Sequence, residues 1–227
     1  MPLERRPIIC LVTDRHRLTG NAPDAASCLL TQVRYAIEAG IDLIQIRERD
    51  LEGADLNELT IRIVALTRST ATRVVVNDRL DVAIAAAADG VHLRADSIAA
   101  REAARIVPPR FLIGRSVHHA TEAMGAAANV HYFIAGAVFP TKSKVPETRL
   151  LGLAGLETIA RASSVPVLAI GGITVERVQA VARAGAAGIA GIGLFMDEDG
   201  RVPCRSVELT KVIRSVRSAF DSAPASS

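Results

Sequence analysis

The chain of 227 residues carries a formal net charge of +3, with charges of both signs scattered along it, which excludes the basic blocks and stacking platforms of a nucleic-acid binder. Hydrophobic residues at 49% against 22% charged residues exclude a disordered chain. Aromatics make up only 3% and Trp is absent, so Ala, Val, Ile and Leu must build the core.

In chain order, the first element is the apolar run "IICLVT" at 8–13. Two Arg precede it, but acidic and polar residues follow within a few positions, so it reads as a strand and not as a secretion signal. Residues 24–40 have helical spacing, with Asp24 placed to cap the start and Gly40 to stop the end. "DLIQIR" at 42–47 is the second strand, followed by a helical pattern at 54–70. "RVVVN" (73–77) and "GVHL" (90–93) are the third and fourth strands, and 97–107 is again helical. "FLIGRSV" (111–117) and "YFIAGAVF" (132–139) come next, then a helix at 152–164. "VPVLAIGG" (165–172) leads into a helix at 174–185, with Thr174 as its cap and Gly185 as its stop, and "GIAGIGLF" (188–195) is the last strand. The tail at 221–227 has the composition of a disordered end.

The apolar faces of these strands are nearly continuous, the pattern of parallel strands covered on both sides. Strand–helix units counted eight times predict one (β/α)8 TIM barrel over residues 1–220, with a doubly wound open sheet as the alternative. No apolar run approaches the ~18 residues that span a bilayer, and a cytoplasmic location follows as the expectation. Cys10, Cys28 and Cys204 have no CxxC spacing, so reduced thiols are expected in preference to disulfides or a zinc site.

Barrels of this kind carry their chemistry where strands run out into the following loops. Past the second strand come Arg47, Glu48 and Arg49; past the third, Asn77 and Asp78; past the fourth, Arg94, Asp96 and Ser97. The fifth ends in Ser116, His118 and His119, and the sixth in Thr141, Lys142, Ser143 and Lys144. The seventh and eighth end in Gly171-Gly172 and in Gly191-Ile192-Gly193. Glycine lets backbone N–H groups approach an anion, a helix N-terminus adds a favourable dipole, and these two loops form the usual phosphate site of the architecture. Taken singly, Arg47-Glu48-Arg49 reads as a solvated loop, Asn77-Asp78 as a turn and His118 as a surface imidazole. Their recurrence at one end of several strands points instead to an anion-binding pocket.

"IQIRERD", "VVVNDRLDVAIAAAADGVHL", "IGRSVHHATEA", "VFPTKSK" and "VPVLAIGGIT", in that order, resemble the thiamin phosphate synthase / TenI family over about residues 8 to 196. The resemblance implies a (β/α)8 barrel of thiamin biosynthesis that takes a small-molecule thiazole phosphate and is a homo-oligomer, with no nucleic acid or membrane partner. The family has two activities. The synthase joins hydroxymethylpyrimidine diphosphate to thiazole phosphate, releases pyrophosphate and needs Mg²⁺. TenI-type tautomerases move a proton on a carboxythiazole phosphate without metal or other cofactor.

The resemblance implies pyrophosphate binding by Gln45, Arg47 and Arg49, a substrate contact at Asn77 and a Mg²⁺ ligand at Asp78 if the synthase reading holds. It implies further substrate contacts at Ser116, Thr141, Ser143, Lys144, Gly172, Gly191 and Ile192. The synthase pattern His-x-Gly-Gln-x-Asp is broken here: Ser97 stands at the second metal ligand, Arg94-Ala95 replaces Gly-Gln, and Asp96 lies one residue off. Arg49 stands where the synthase has Lys. These departures favour a TenI-like thiazole tautomerase with His118 as acid/base and Arg47 as its catalytic partner. The intact "NDR" and "PTKSK" keep thiamin phosphate synthase as the alternative, and a non-catalytic thiazole-phosphate-binding regulatory barrel is the third reading.

Overall fold

The computed structural model describes residues 3, 6–18, 25–126, 128–141, 150–196 and 206–223. Eight parallel strands close in sequence order into a barrel: β1 (Ile8–Val12), β2 (Leu43–Ile46), β3 (Arg73–Asn77), β4 (Gly90–Leu93), β5 (Leu112–Val117), β6 (Tyr132–Gly136), β7 (Val167–Ile170) and β8 (Gly188–Gly191). The closing pair is β1 with β8, Ile8 opposite Gly188, and it rules out the open-sheet alternative. The helices are α1 (Ala25–Glu38), α2 (Gly53–Thr67), α3 (Leu80–Ala85), α4 (Ala100–Ala104), α5 (Ala120–Ala126), α6 (Gly152–Ala162), α7 (Val175–Arg183) and α8 (Ser206–Asp221). None of the described helices is long and apolar enough to cross a membrane.

Side chains alternate across each strand, and the two faces build two cores. Ile9, Leu11, Ile44, Ile46, Val74 and Val76 point outward into the layer shared with the helices. Ile8, Cys10, Val12, Leu43, Val75, Tyr132, Ile134 and Leu168 fill the barrel interior. Below the interior, Arg217 of α8 closes the N-terminal end of the strands by donating to Pro7 O, Gly40 O and the Asp42 carboxylate, each at 3.0 Å. The large cavity lies at the opposite end, past the carboxyl ends of the strands.

Strand ends differ from the sequence pattern for local reasons. β7 begins at Val167 because Pro166 has no N–H to give the ladder, although its carbonyl accepts from Phe133 at 2.9 Å. It stops at Ile170 because Gly171 and Gly172 turn to φ +99° and +61°. α4 is shorter than 97–107 because Pro108 and Pro109 follow and restrict the residues before them. Gly40 and Gly185 sit at φ +85° and +81°, as helix stops require. Thr174 occupies the cap position of α7 without a side-chain capping bond, and Asp24 and Cys204 lie outside the described residues. α8 runs through Asp221.

Candidate active site

Arg47-Glu48-Arg49-Asp50 leaves β2 with its charges sorted by alternation. Glu48 is buried, and its carboxylate accepts from the backbone N–H of Arg15 at 3.2 Å and from its Nη1 at 3.0 Å. Asp50 holds the same guanidinium and also His16 Nε2 at 2.9 Å, and the Arg15 and His16 bonds keep its carboxyl well below the usual carboxylate range. The two acids therefore fasten the loop that follows β1. Arg47 and Arg49 line the cavity at the carboxyl end of the barrel. Among the described residues neither guanidinium closes an ion pair. Desolvation, then the neighbouring Arg49, lower the pKa of half-buried Arg47, against a smaller opposing attraction from Asp14 and Glu48. Two like charges held this way are relieved by an anion.

The floor of the cavity is the uppermost interior layer of the barrel. Gln45 Nε2 donates to Asn77 Oδ1 at 3.0 Å, while the buried Gln45 Oε1 has no hydrogen-bond partner among the described residues. His92 is 1% exposed; its Nε2 lies 2.9 Å from Ser116 Oγ and its Nδ1 lies 3.3 Å from the Tyr132 hydroxyl. Burial, and to a lesser extent Arg115, push the His92 pKa down to about 3, so the ring stays neutral.

Glycines form the facing wall. A Cβ at Gly172 would lie 2.4 Å from Pro140 O, and its φ of +61° is left-handed, so only glycine fits this turn. Beyond it, Thr174, Val175 and Glu176 bring the N-terminus of α7 to the cavity with its first N–H groups uncapped by Thr174. Arg177 donates to Gly172 O at 2.8 Å and stacks 4.8 Å above the Phe139 ring, which braces the turn. Gly191, Ile192 and Gly193 continue the wall, with Arg17 packed against Gly193. His118 Nδ1 is 2.7 Å from Gly136 O; as the donor there it leaves Nε2 as the acceptor nitrogen.

A cavity of about 1040 Å³ thus brings together Gln45, Arg47, Arg49, Asn77, Ser116, His118, Thr141, Gly172, Gly191 and Ile192. Lys142, Ser143 and Lys144 lie outside the described residues. Asp78, at φ +63°, is not part of the cavity wall, whereas Arg94, Ala95 and Asp96 are. Sequence reasoning missed His92, Arg17 and Arg177. His92 was accessible from alternation, since it shares its inward face with Gly90, but a search restricted to residues past the strand ends passes over it.

A family model described as thiamine monophosphate synthase matches residues 9–195. The chain belongs to the thiamine monophosphate synthase (TMP-TENI) family. Among its relatives, the thiamine-phosphate synthase of Methanoculleus marisnigri is 42% identical over 193 residues, 85% of this chain and 88% of that protein. The thiamine-phosphate synthase of Pyrococcus abyssi is 40% identical over 185 residues, 81% of this chain and 88% of that one. The solved thiamine phosphate pyrophosphorylase from Pyrococcus furiosus matches with a TM-score of 0.77 and 31% identity, covering 95% of this chain and 96% of that one.

As a TMP-TENI member the chain is an enzyme of thiamin biosynthesis. The preference for a TenI-like tautomerase is corrected here: the named relatives are synthases, and the family match does not separate a TenI branch. That preference rested on Arg49 in place of Lys, on Arg94-Ala95 in place of Gly-Gln and on Ser97 in place of a carboxylate. In the structure the Ser97 hydroxyl donates to Asp78 and accepts from the Arg94 N–H at 2.9 Å, while Asp96 lies on the cavity wall. The loop therefore still brings a carboxylate, Asp96, to the cavity, while Asp78 stays off its wall, hydrogen-bonded to Ser97. Asp78, Asp96 and Ser97 are all oxygen donors, which suit Mg²⁺, a cation that keeps several waters and takes one or two carboxylates together with substrate phosphate. Among the described residues no cluster of three His, Cys, Asp or Glu that could hold a metal forms, so Mg²⁺ here would depend on one or two carboxylates and substrate phosphate. Arg94 supplies positive charge at this place, with Nη1 3.8 Å from Asp78 Oδ2 and Nη2 bonded to Asp96.

Proposed function

We propose that this TMP-TENI enzyme is a thiamin phosphate synthase, coupling hydroxymethylpyrimidine diphosphate to a thiazole phosphate with release of pyrophosphate. The observation that carries this reading is the Arg47–Arg49 pair, which faces the cavity without an ion-pair partner among the described residues, across from a glycine and helix-terminus wall. Two anion sites suit two phosphorylated substrates; a single carboxythiazole phosphate, with its carboxylate and its phosphate, would also span them, so the synthase names of the relatives turn the choice.

In this reading Arg47 and Arg49 bind the diphosphate and stabilise the charge that collects on it as its carbon–oxygen bond breaks and the thiazole nitrogen bonds to the released carbon. Bidentate guanidinium contacts fit that task. Gln45 and Asn77 hold the pyrimidine side of the floor. The N–H groups at Gly172, Gly191, Ile192 and the start of α7 hold the monophosphate with Thr141, Ser143 and Lys144. Ser116 and His118 contact substrate, with His118 Nε2 as the acceptor. Asp78 and Asp96 would hold Mg²⁺, which when bound neutralises the leaving diphosphate. The reading extends to a cytoplasmic homo-oligomer, which light scattering on the purified protein checks.

The test is pyrophosphate release by purified protein given both substrates and Mg²⁺. Release that requires all three supports the synthase; proton exchange on carboxythiazole phosphate with no coupling would replace it with the tautomerase.

A further inference from the structure

Tyr132, Gly114 and His92 occupy one rung of the barrel. His92 pairs in register with Gly114 across β4 and β5, and Gly114 pairs with Tyr132 across β5 and β6. A Cβ at Gly114 would lie 2.2 Å from Tyr132 Cζ, so the missing side chain is what lets the phenol cross β5 and reach the imidazole. The ring centroids are 5.6 Å apart. On the far side of His92, Nε2 meets Ser116 Oγ, and both His92 and Ser116 line the cavity.

Hydrogen-bond inventory fixes the direction of this chain. The Tyr132 residue is fully buried, burial raises its pKa well above the ordinary phenol value, and it keeps its proton. Among the described residues, His92 Nδ1 at 3.3 Å is the hydroxyl's hydrogen-bond partner. If Nδ1 carried a hydrogen, the phenol would have to accept it and would leave its own buried O–H without an acceptor, an arrangement that burial penalises. The phenol therefore donates to Nδ1. Neutral His92 then carries its hydrogen on Nε2 and donates it to Ser116 Oγ, and the Ser116 hydroxyl turns its own hydrogen into the cavity.

We infer that Tyr132 and His92 are positioning residues that set the Ser116 hydroxyl as a hydrogen-bond donor, so that this part of the floor selects a substrate acceptor atom such as a ring nitrogen or phosphate oxygen. The inference rests on the synthase reading only for the identity of the substrate. The alternative wiring, with Ser116 donating to His92, would make the serine an acceptor toward the cavity.

The test uses the full chain with ¹⁵N-labelled histidine and long-range ¹H–¹⁵N correlation spectra, His92 being assigned by its absence from His92→Gln. Wild type is expected to show His92 as the neutral Nε2–H form from pH 5 to pH 8. Tyr132→Phe is expected to move the Nδ1 resonance, and Ser116→Ala to move Nε2 while leaving the tautomer unchanged. An Nδ1–H form in wild type overturns the inference, as does a His92 spectrum insensitive to both variants. In coupling assays Tyr132→Phe should lower kcat about 5- to 20-fold, and His92→Gln, whose amide donates near the Nε2 position, should retain more turnover than His92→Leu. Equal loss in those two His92 variants would also overturn it. A wild-type protein that fails to couple while the tautomer stands as expected would discard the synthase reading alone. If Tyr132→Phe does not fold, the wild-type and Ser116→Ala spectra decide the matter.

Discussion

Replacing Arg47 with Met separates a binding cation from a structural one. The guanidinium is half-buried, has no carboxylate partner among the described residues and is disfavoured by burial and by Arg49. Met keeps the apolar stem and removes the charge. Hydrogen bonds to charged groups contribute about 1.5–3 kcal/mol each, so losing one arginine–phosphate contact should weaken pyrophosphate binding about 10- to 150-fold. Stability without ligand should change by less than about 0.5 kcal/mol, because the lost repulsion from Arg49 offsets the lost attraction from Asp14 and Glu48. Arg47→Lys should fall between, since it keeps charge but not the planar fork. Calorimetric titration with pyrophosphate at fixed ionic strength, beside urea unfolding of the same proteins, reads both quantities. Wild-type affinity in Arg47→Met would refute the reasoning. So would an affinity loss accompanied by destabilisation of about 2 kcal/mol or more.

Other consequences follow from single contacts. Arg94→Ala removes the guanidinium beside Asp78 and Asp96 and should tighten Mn²⁺ binding several-fold by electron spin resonance, whereas Asp78→Ala should weaken it. Glu48→Ala leaves the Arg15 N–H and guanidinium short of their buried carboxylate, and should cost about 2–4 kcal/mol in urea unfolding. Gly172→Ala adds a Cβ 2.4 Å from Pro140 O at a left-handed φ, and should both destabilise the fold by about 1–3 kcal/mol and weaken inorganic phosphate binding. The depressed His92 pKa gives a pH prediction: the unfolded chain binds a proton below about pH 6.5 while the folded one does not until about pH 3, so the unfolded state gains protons as pH falls. Stability should therefore decline on acidification from pH 6.5 to 4.5, with His92 contributing up to about 1.4 kcal/mol per pH unit. His131, also lowered by burial, adds in the same direction. His92→Gln should show a shallower decline, measurable by urea unfolding at each pH.

The barrel was legible because parallel strands covered on both faces leave apolar runs bounded by glycine and polar loops, as at "VVVN" and "VLAIGG". The arginine pair was legible for the same reason: a core strand that continues into charge has a ligand or a partner to meet. What alternation adds is the split between Arg47 and Glu48, which the sequence shows only as a mixed run. Tyr132 is not visible as a polar participant, because its reach to His92 depends on Gly114 in the intervening strand. Arg17 sits in the short loop helix Arg15–Arg17, where no periodic signal assigns a direction to its side chain. The shift of the acidic residue from 97 to 96 looked disabling along the chain, yet the Arg94–Ser97 turn brings Asp96 to the cavity wall.

Simultaneous occupancy of the two walls is the most direct test. Pyrophosphate should be titrated calorimetrically, with Mg²⁺ present, into protein already saturated with thiazole phosphate. A synthase with separate arginine and glycine sites takes pyrophosphate at about one per chain with little change in affinity. Mutually exclusive binding of the two anions would leave a single phosphate site and contradict the account.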